Sequence, residues 1–235
     1  MSYDNLKQQV CWANQEIVRA GLVVLTFGNA SVVDRDAGVI GIKPSGVDYA
    51  VLKPDDIVVM TLADGEIVEG RKRPSSDTPT HLFLYRRFTA IGAIVHTHSP
   101  QATAWAQAER EIPCLGTTHA DYFNGPVPLT RPLTPREIKD EYEVATGRAI
   151  WDRFAKTKMN PLHFPGVLVA GHAPFAWGPT AAKAVENALA LETIAGMARQ
   201  TLVLRPNAPK ISRALLEKHF TRKHGPKAYY GQPVT

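Results

Sequence analysis

The sequence is short of cysteine and of long apolar runs. Two cysteines, Cys11 and Cys114, occur in 235 residues and share no CxxC spacing. That excludes a disulfide framework and leaves both as small buried hydrophobes. No apolar stretch approaches the about 20 residues that a membrane span needs. No Gly-x-Gly-x-x-Gly follows a strand-like segment, so nothing signals a dinucleotide cofactor. Internal repeats, low-complexity segments and linkers are missing as well. The first residues, Met1-Ser-Tyr-Asp-Asn-Leu-Lys7, lack the charged-then-apolar layout of a signal peptide, and the expectation is a cytoplasmic protein with no membrane partner.

The composition is that of a globular protein, with 44% apolar and 21% charged residues. The chain is long enough to bury a sizeable core. The net charge of +5 comes from scattered Lys and Arg, apart from Arg222, Lys223 and Lys227 near the end. Without a reading motif this does not signal nucleic acid, but a modest positive field suits a phosphorylated substrate.

Local patterns predict a succession of helices and strands. Asp4 reads as an N-cap, Leu6, Val10, Ala13, Ile17 and Ala20 keep helical spacing, and Gly21 stops the helix. Strand-like pieces follow at Leu22–Phe27, Ala30–Val33 and Val39–Lys43. Ile57–Leu62 and Glu66–Val68 flank Ala63-Asp64-Gly65, a hairpin signal. A helix is predicted from Ser76-Asp77-Thr78-Pro79 through Phe88, a buried strand at Ile91–His96, and another helix from Ser99-Pro100. Thr134-Pro-Arg-Glu137 is a capping box opening a charged helix. Gly166–Ala170 reads as a buried strand, Thr180–Leu202 and Ile211–Lys223 as helices, and Gly225–Thr235 as an irregular tail. Early hairpins argue against an all-parallel sheet. The expectation is one α/β domain over residues 1–235, with a mostly antiparallel or mixed sheet covered by helices.

The sharpest chemical signal is Ala93-Ile-Val-His96-Thr-His98. Strand side chains alternate, so His96 and His98 share a face with Cα atoms about 7 Å apart. A second apolar run, Pro165–Gly171, leads into His172. A lone histidine is usually a satisfied structural residue; His-x-His at a strand end with a third candidate is better explained by a cation. Three nitrogen ligands with an open position suit catalytic zinc, and Mn, Co, Fe or Ni would also fit. Three small-residue turns carry donors for an anion: Gly28-Asn29, Lys43-Pro-Ser45-Gly46 and Ser75-Ser76-Asp77. Each alone reads as an ordinary turn or cap; together, beside a metal site, they suggest a phosphate pocket.

These segments, with Thr117-Thr-His-Ala-Asp-Tyr-Phe123, Pro174-Phe-Ala-Trp-Gly178 and Lys223-His-Gly-Pro-Lys-Ala-Tyr-Tyr-Gly-Gln232, resemble the L-ribulose-5-phosphate 4-epimerase family of the class II aldolase/adducin-like superfamily. The resemblance runs nearly the length of the chain. It implies a three-layer α/β/α fold on a mostly antiparallel sheet, one zinc ion per subunit, and a homotetramer with active sites between adjacent subunits. His96, His98 and His172 match the zinc ligands, and Asp77 an acidic residue beside the metal. Gly28, Asn29, Ser45, Gly46, Ser75 and Ser76 match the substrate and phosphate loops. Asp121 and Tyr230 match the catalytic acid/base pair, although Asp121 alone reads as a cap and Tyr229-Tyr230 as packing. Lys43, Thr117, Glu143 and His219 are secondary candidates.

The implied reaction interconverts L-ribulose 5-phosphate and D-xylulose 5-phosphate, in arabinose or ascorbate breakdown. The carbonyl at C2 acidifies C3, not C4, so inversion at C4 without a redox cofactor requires breaking and remaking C3–C4. Three rivals stand beside it: a class II aldolase of the fuculose-phosphate type, a non-catalytic adducin-like scaffold and an unrelated zinc hydrolase. The aldolase carries Glu where Asp77 stands here; a scaffold has no use for three histidines, and a hydrolase none for the phosphate loops.

Overall fold

The computed structural model describes residues 2–224 and 228–229. Seven strands form a single sheet in the order β4-β3-β2-β1-β5-β7-β6, every neighbouring pair antiparallel. The strands are β1 (Gly28–Asp34), β2 (Val39–Ile42), β3 (Val58–Thr61), β4 (Ile67–Glu69), β5 (Ala93–Thr97), β6 (Gly166–Leu168) and β7 (Pro174–Gly178). Helices α1 (Asp4–Arg19) and α6 (Ala181–Leu204) cover one face; α2 (Thr78–Arg87) and α5 (Pro135–Thr157) cover the other. This is the expected three-layer α/β/α arrangement.

Alternation along the strands sorts the two faces. On the α1/α6 side lie Ala30, Val32, Ala93, Val95 and Ala176, packed on Val10, Ile17, Ala184 and Val185. On the α2/α5 side lie Ile40, Ile94, Phe175 and Trp177, packed on Leu84, Tyr85, Ile150 and Phe154. Small side chains let α6 ride close to the sheet: a Cβ on Gly178 would meet Ala184 N at 2.8 Å. A third cluster joins α3 (Pro100–Gln107) to α6 through Trp105, Leu191 and Ile194.

Several local expectations are met in detail. The α1 stop is a Schellman motif: Gly21, at φ +70, donates to Val18 O and Leu22 to Ile17 O, each at 2.9 Å. The Thr134 capping box is present, and Thr180 caps α6. Asp4 is the first helical residue rather than the cap, a place Tyr3 takes; its carboxylate still favours the helix start.

Other expectations fail for identifiable reasons. Leu22–Phe27 is not a strand. Its β-formers make a turn in which Phe27 N–H bonds Val24 O, Leu25 sits at φ +55, and Val24, Leu25 and Phe27 are exposed. Strand propensity without a pairing partner does not decide structure. Strand β7 has no counterpart among the predicted elements; a proline opens it, a residue allowed at a first strand position. The run expected as a strand over Gly166–Ala170 ends at Leu168. The helices α4 (Thr117–Ala120) and α7 (Arg213–His224) and a short 3-10 helix at Pro54–Asp56 complete the described elements; most of the predicted irregular tail lies outside the described residues.

Ile94, fully buried at the sheet centre, tests the packing. Ile94→Ala is expected to lower unfolding free energy by about 2–5 kcal/mol in urea titrations, with the unfolding slope unchanged.

Candidate metal and phosphate site

Antiparallel pairing puts the start of one strand beside the end of its neighbour. The start of β1, the ends of β2 and β5, and the turn before β7 therefore meet at one end of the sheet. Register pairs Asn29 with His96, and His96 with Phe175. A cavity of about 430 Å³ opens there, lined by Gly28, Asn29, Lys43, Ser45, Gly46, Ser75, Ser76, Asp77, His96, His98, Glu143 and His172. Twelve of the predicted site residues are thus brought together. Thr26, Phe27, Pro44 and Tyr142 also line it and were not predicted. Phe27 and Tyr142 each adjoin a predicted residue in sequence, the one signal that pointed toward them.

The three imidazoles form a tight triangle. Ring centroids of His96, His98 and His172 are 5.0, 5.0 and 5.1 Å apart, and one ligand nitrogen from each lies within 4.8 Å of the others. His98 follows β5 directly, as expected. His172 does not end a strand. It sits on the turn between β6 and β7, where Gly171 at φ +68 and the bonds Val169 N–H to Ala173 O and His172 N–H to Val169 O reverse the chain.

His96 Nδ1 lies 3.0 Å from the Pro174 carbonyl. A carbonyl only accepts, so Nδ1 carries the proton and Nε2 is bare. That bare nitrogen stands 4.0 Å from Asp77 Oδ2. Burial pushes all three histidines below their ordinary pKa, His172 to about 4. Neutral imidazoles are the form that ligates a cation. Burial pushes the Asp77 carboxyl up, but neighbouring imidazoles and the Asn29 amide outweigh it, and the net direction is down. The donor set, three nitrogens and an adjacent carboxylate, fits a divalent metal such as zinc.

The loops are zipped together. Ser75 N–H donates to Lys43 O at 3.0 Å and Ser45 N–H to Arg73 O at 2.9 Å. Asn29 Nδ2 reaches Ser75 Oγ at 3.0 Å and Asp77 Oδ2 at 2.7 Å, while Asn29 Oδ1 is buried without a protein partner. Gly28, at φ +113, lets β1 approach β5: a Cβ there would stand 2.7 Å from His96 O. Lys43 is buried beneath the cavity over the Tyr49 ring, and burial lowers its pKa.

Thr117, Asp121 and His219 do not line this cavity. They belong to α4, its C-terminal end, and α7. Asp121 accepts from Arg222 at 3.0 and 2.7 Å and lies 3.0 Å from His219 Nδ1; His224 Nε2 bonds its backbone carbonyl. Burial raises the Asp121 pKa and these donors more than offset it, holding the carboxyl below its usual range. Tyr230 and Lys227 lie outside the described residues.

A family model described as the Class II Aldolase and Adducin N-terminal domain matches residues 8–199. The chain belongs to this family. It is 53% identical over 227 residues to L-ribulose-5-phosphate 4-epimerase UlaF of Salmonella paratyphi A and of Salmonella typhi, covering 97% of this chain and 98% of each relative. The resemblance read from the motifs therefore holds over the whole alignment. Among solved structures, an L-fuculose 1-phosphate aldolase matches at a TM-score of 0.78 and 26% identity, over 93% of this chain and 96% of that one. YgbL of Klebsiella pneumoniae, titled a putative aldolase/epimerase/decarboxylase, matches at 0.71 and 23%, over 93% and 99%, and speaks to the fold alone.

The Asp121 cluster gives a pH-dependent prediction. A carboxyl with a depressed folded-state pKa contributes stability above its unfolded value, and loses it as pH falls through the folded one. Asp121→Asn is expected to speed hydrogen exchange in α7 at neutral pH roughly tenfold, given the about 1.5–3 kcal/mol of hydrogen bonds to a charged group. The difference from wild type should narrow as pH drops below about 4.

Proposed function

We propose that this chain is an L-ribulose-5-phosphate 4-epimerase: it inverts C4 by breaking and remaking C3–C4, giving D-xylulose 5-phosphate. The observation that carries the reading is the histidine triangle opening into the same cavity as the zipped Lys43–Gly46 and Ser75–Asp77 loops. A metal centre and an anion pocket share one small space. The 53% identity to named 4-epimerases supports the same choice.

His96, His98 and His172 would hold the cation, with Asp77 beside it. A divalent ion held there would supply a Lewis acid that stabilises negative charge on neighbouring sugar oxygens. Ser45, Gly46, Ser75 and Ser76 would bind the phosphate through the serine hydroxyls and the backbone N–H groups of Gly46 and Ser76, the Ser45 and Ser75 N–H groups being spent on the loop-to-loop bonds, and keep the aldehyde fragment from leaving. Asn29, whose amide is fixed by Ser75 and Asp77, presents its bare Oδ1 to a donor; Lys43 and Glu143 would orient the sugar. A base takes the C4 hydroxyl proton, the C3–C4 electron pair moves to the three-carbon fragment, and glycolaldehyde phosphate is released from it. Rotation of the aldehyde presents its other face, the bond reforms, and the new C4 oxygen is reprotonated. Inversion requires one proton handler on each face of C4, the roles given to Asp121 and Tyr230, with Thr117 and His219 in support.

The family resemblance implies a homotetramer of single-domain chains, and the distance of Asp121 and His219 from their own chain's cavity is compatible with sites shared between adjacent copies. No helix among the described residues is long and apolar enough to cross a membrane, in keeping with a cytoplasmic enzyme. The aldolase reading keeps some support from the L-fuculose 1-phosphate aldolase structure.

The deciding experiment supplies L-ribulose 5-phosphate to the purified protein and follows D-xylulose 5-phosphate. Product is expected, and is expected to vanish with a strong chelator and return with added Zn²⁺. Steady accumulation of dihydroxyacetone instead would establish an aldolase, and no turnover of either kind would refute the enzyme reading.

A further inference from the structure

The three histidines are not held equally. His96 is fixed twice, by its Nδ1 bond to Pro174 O and by stacking on Phe175 with ring centroids 4.1 Å apart. His98 leaves the paired strand β5 directly. His172 stands on a turn, only partly buried, behind the left-handed Gly171. The group facing its Nδ1 is the Tyr142 hydroxyl at 3.4 Å, a long contact, with ring centroids 6.0 Å apart.

Tyr142 owes its place to a break in α5. Glu141 leaves helical geometry at φ −157 and ψ 48. Just past the break the backbone is clamped: Thr146 Oγ1 donates to Tyr142 O at 2.9 Å and Thr80 Oγ1 to Glu143 O at 2.6 Å. Thr80 lies on α2, the helix that opens at Asp77. The Tyr142 backbone is thus tied to the element bearing the acidic neighbour of the histidines.

We propose that Tyr142 is a positioning residue for the metal centre: its phenol oxygen accepts from His172 Nδ1–H and leaves Nε2 as the ligand atom. The proposal rests on the reading of the histidine triangle as a metal site. A ligand imidazole needs its second nitrogen held, because that contact sets both tautomer and ring orientation. His96 has such a contact in Pro174 O; Tyr142 supplies the equivalent for the ligand on the turn. A tyrosine that merely walls the cavity would be replaced by phenylalanine without consequence.

The test compares full-length wild type with Tyr142→Phe, both stripped of metal, titrated with Zn²⁺ and with Co²⁺ against a chromophoric chelator. The substitution keeps the ring and removes the acceptor. Affinity is expected to fall about tenfold or more, and the visible spectrum of the Co²⁺ form to change, while thermal unfolding of the metal-free proteins coincides. Equal affinity and identical Co²⁺ spectra would overturn the role of Tyr142 and leave the metal centre standing. A wild type that binds neither ion would remove the metal centre itself, and with it the proposed function.

Discussion

The register of β1 on β5 and of β5 on β7 is the constraint from which the site follows. It sets Asn29 opposite His96, His96 opposite Phe175, and the turn bearing His172 beside both. A slip of one residue would turn every side chain to the opposite face. Trp177 and Phe175 would then be driven into the layer where α6 approaches a row of Ala and Gly. The same slip would carry His96 away from Asp77. The asymmetry between a small-residue face and a large-residue face thus fixes the register, and the register assembles the site.

Burial then sets the electrostatics. His96 is almost wholly inaccessible, and His81 beneath it is fully buried with its pKa pushed down to about 3. His81 is tied through Ser31 to Tyr85, at 2.7 and 2.8 Å. Imidazoles whose protonation burial disfavours crowd around Asp77, whose carboxyl is held below its usual range, so the pocket sets a carboxylate in poorly solvated surroundings. Such a charge is costly without compensation. The Asn29 amide provides part of it, and a bound cation would provide the rest. The pocket is accordingly organised before any ligand enters, which is the condition for electrostatic stabilisation without reorganisation.

The parts of this arrangement that lie in short contiguous segments were legible in the sequence. His-x-His on an apolar strand, the Thr134 capping box and the small-residue loops each express a local rule. What escaped depends on distant partners. Leu22–Phe27 has strand composition but no strand to pair with. Strand β7 is held by β5 and β6 despite its leading proline. His172 was found as a residue but placed at a strand end, because only Gly171 hints that the chain reverses there. Tyr142 lies in a run of charged residues whose helical pattern conceals the break at Glu141, so nothing local sets it apart from its neighbours.

The separation of the α4–α7 cluster from the sheet-end cavity bears on how the proposed chemistry would be controlled. Breaking C3–C4 needs an electron sink at C2 and C3, an anchor for the phosphate, and proton transfer at the C4 oxygen. Residues for the first two belong to one chain and one cavity. Asp121, offered for the third, is engaged within its own chain by Arg222 and His219, and its lowered pKa makes it a weak base. Bringing that cluster to another copy's cavity would complete the set only in the assembly. A sugar phosphate could then be gripped by a lone chain, but its C4 hydroxyl would keep its proton. Cleavage, the step that creates a reactive enediolate, would be confined to sites that are also closed by a neighbour and able to hold both fragments until they rejoin.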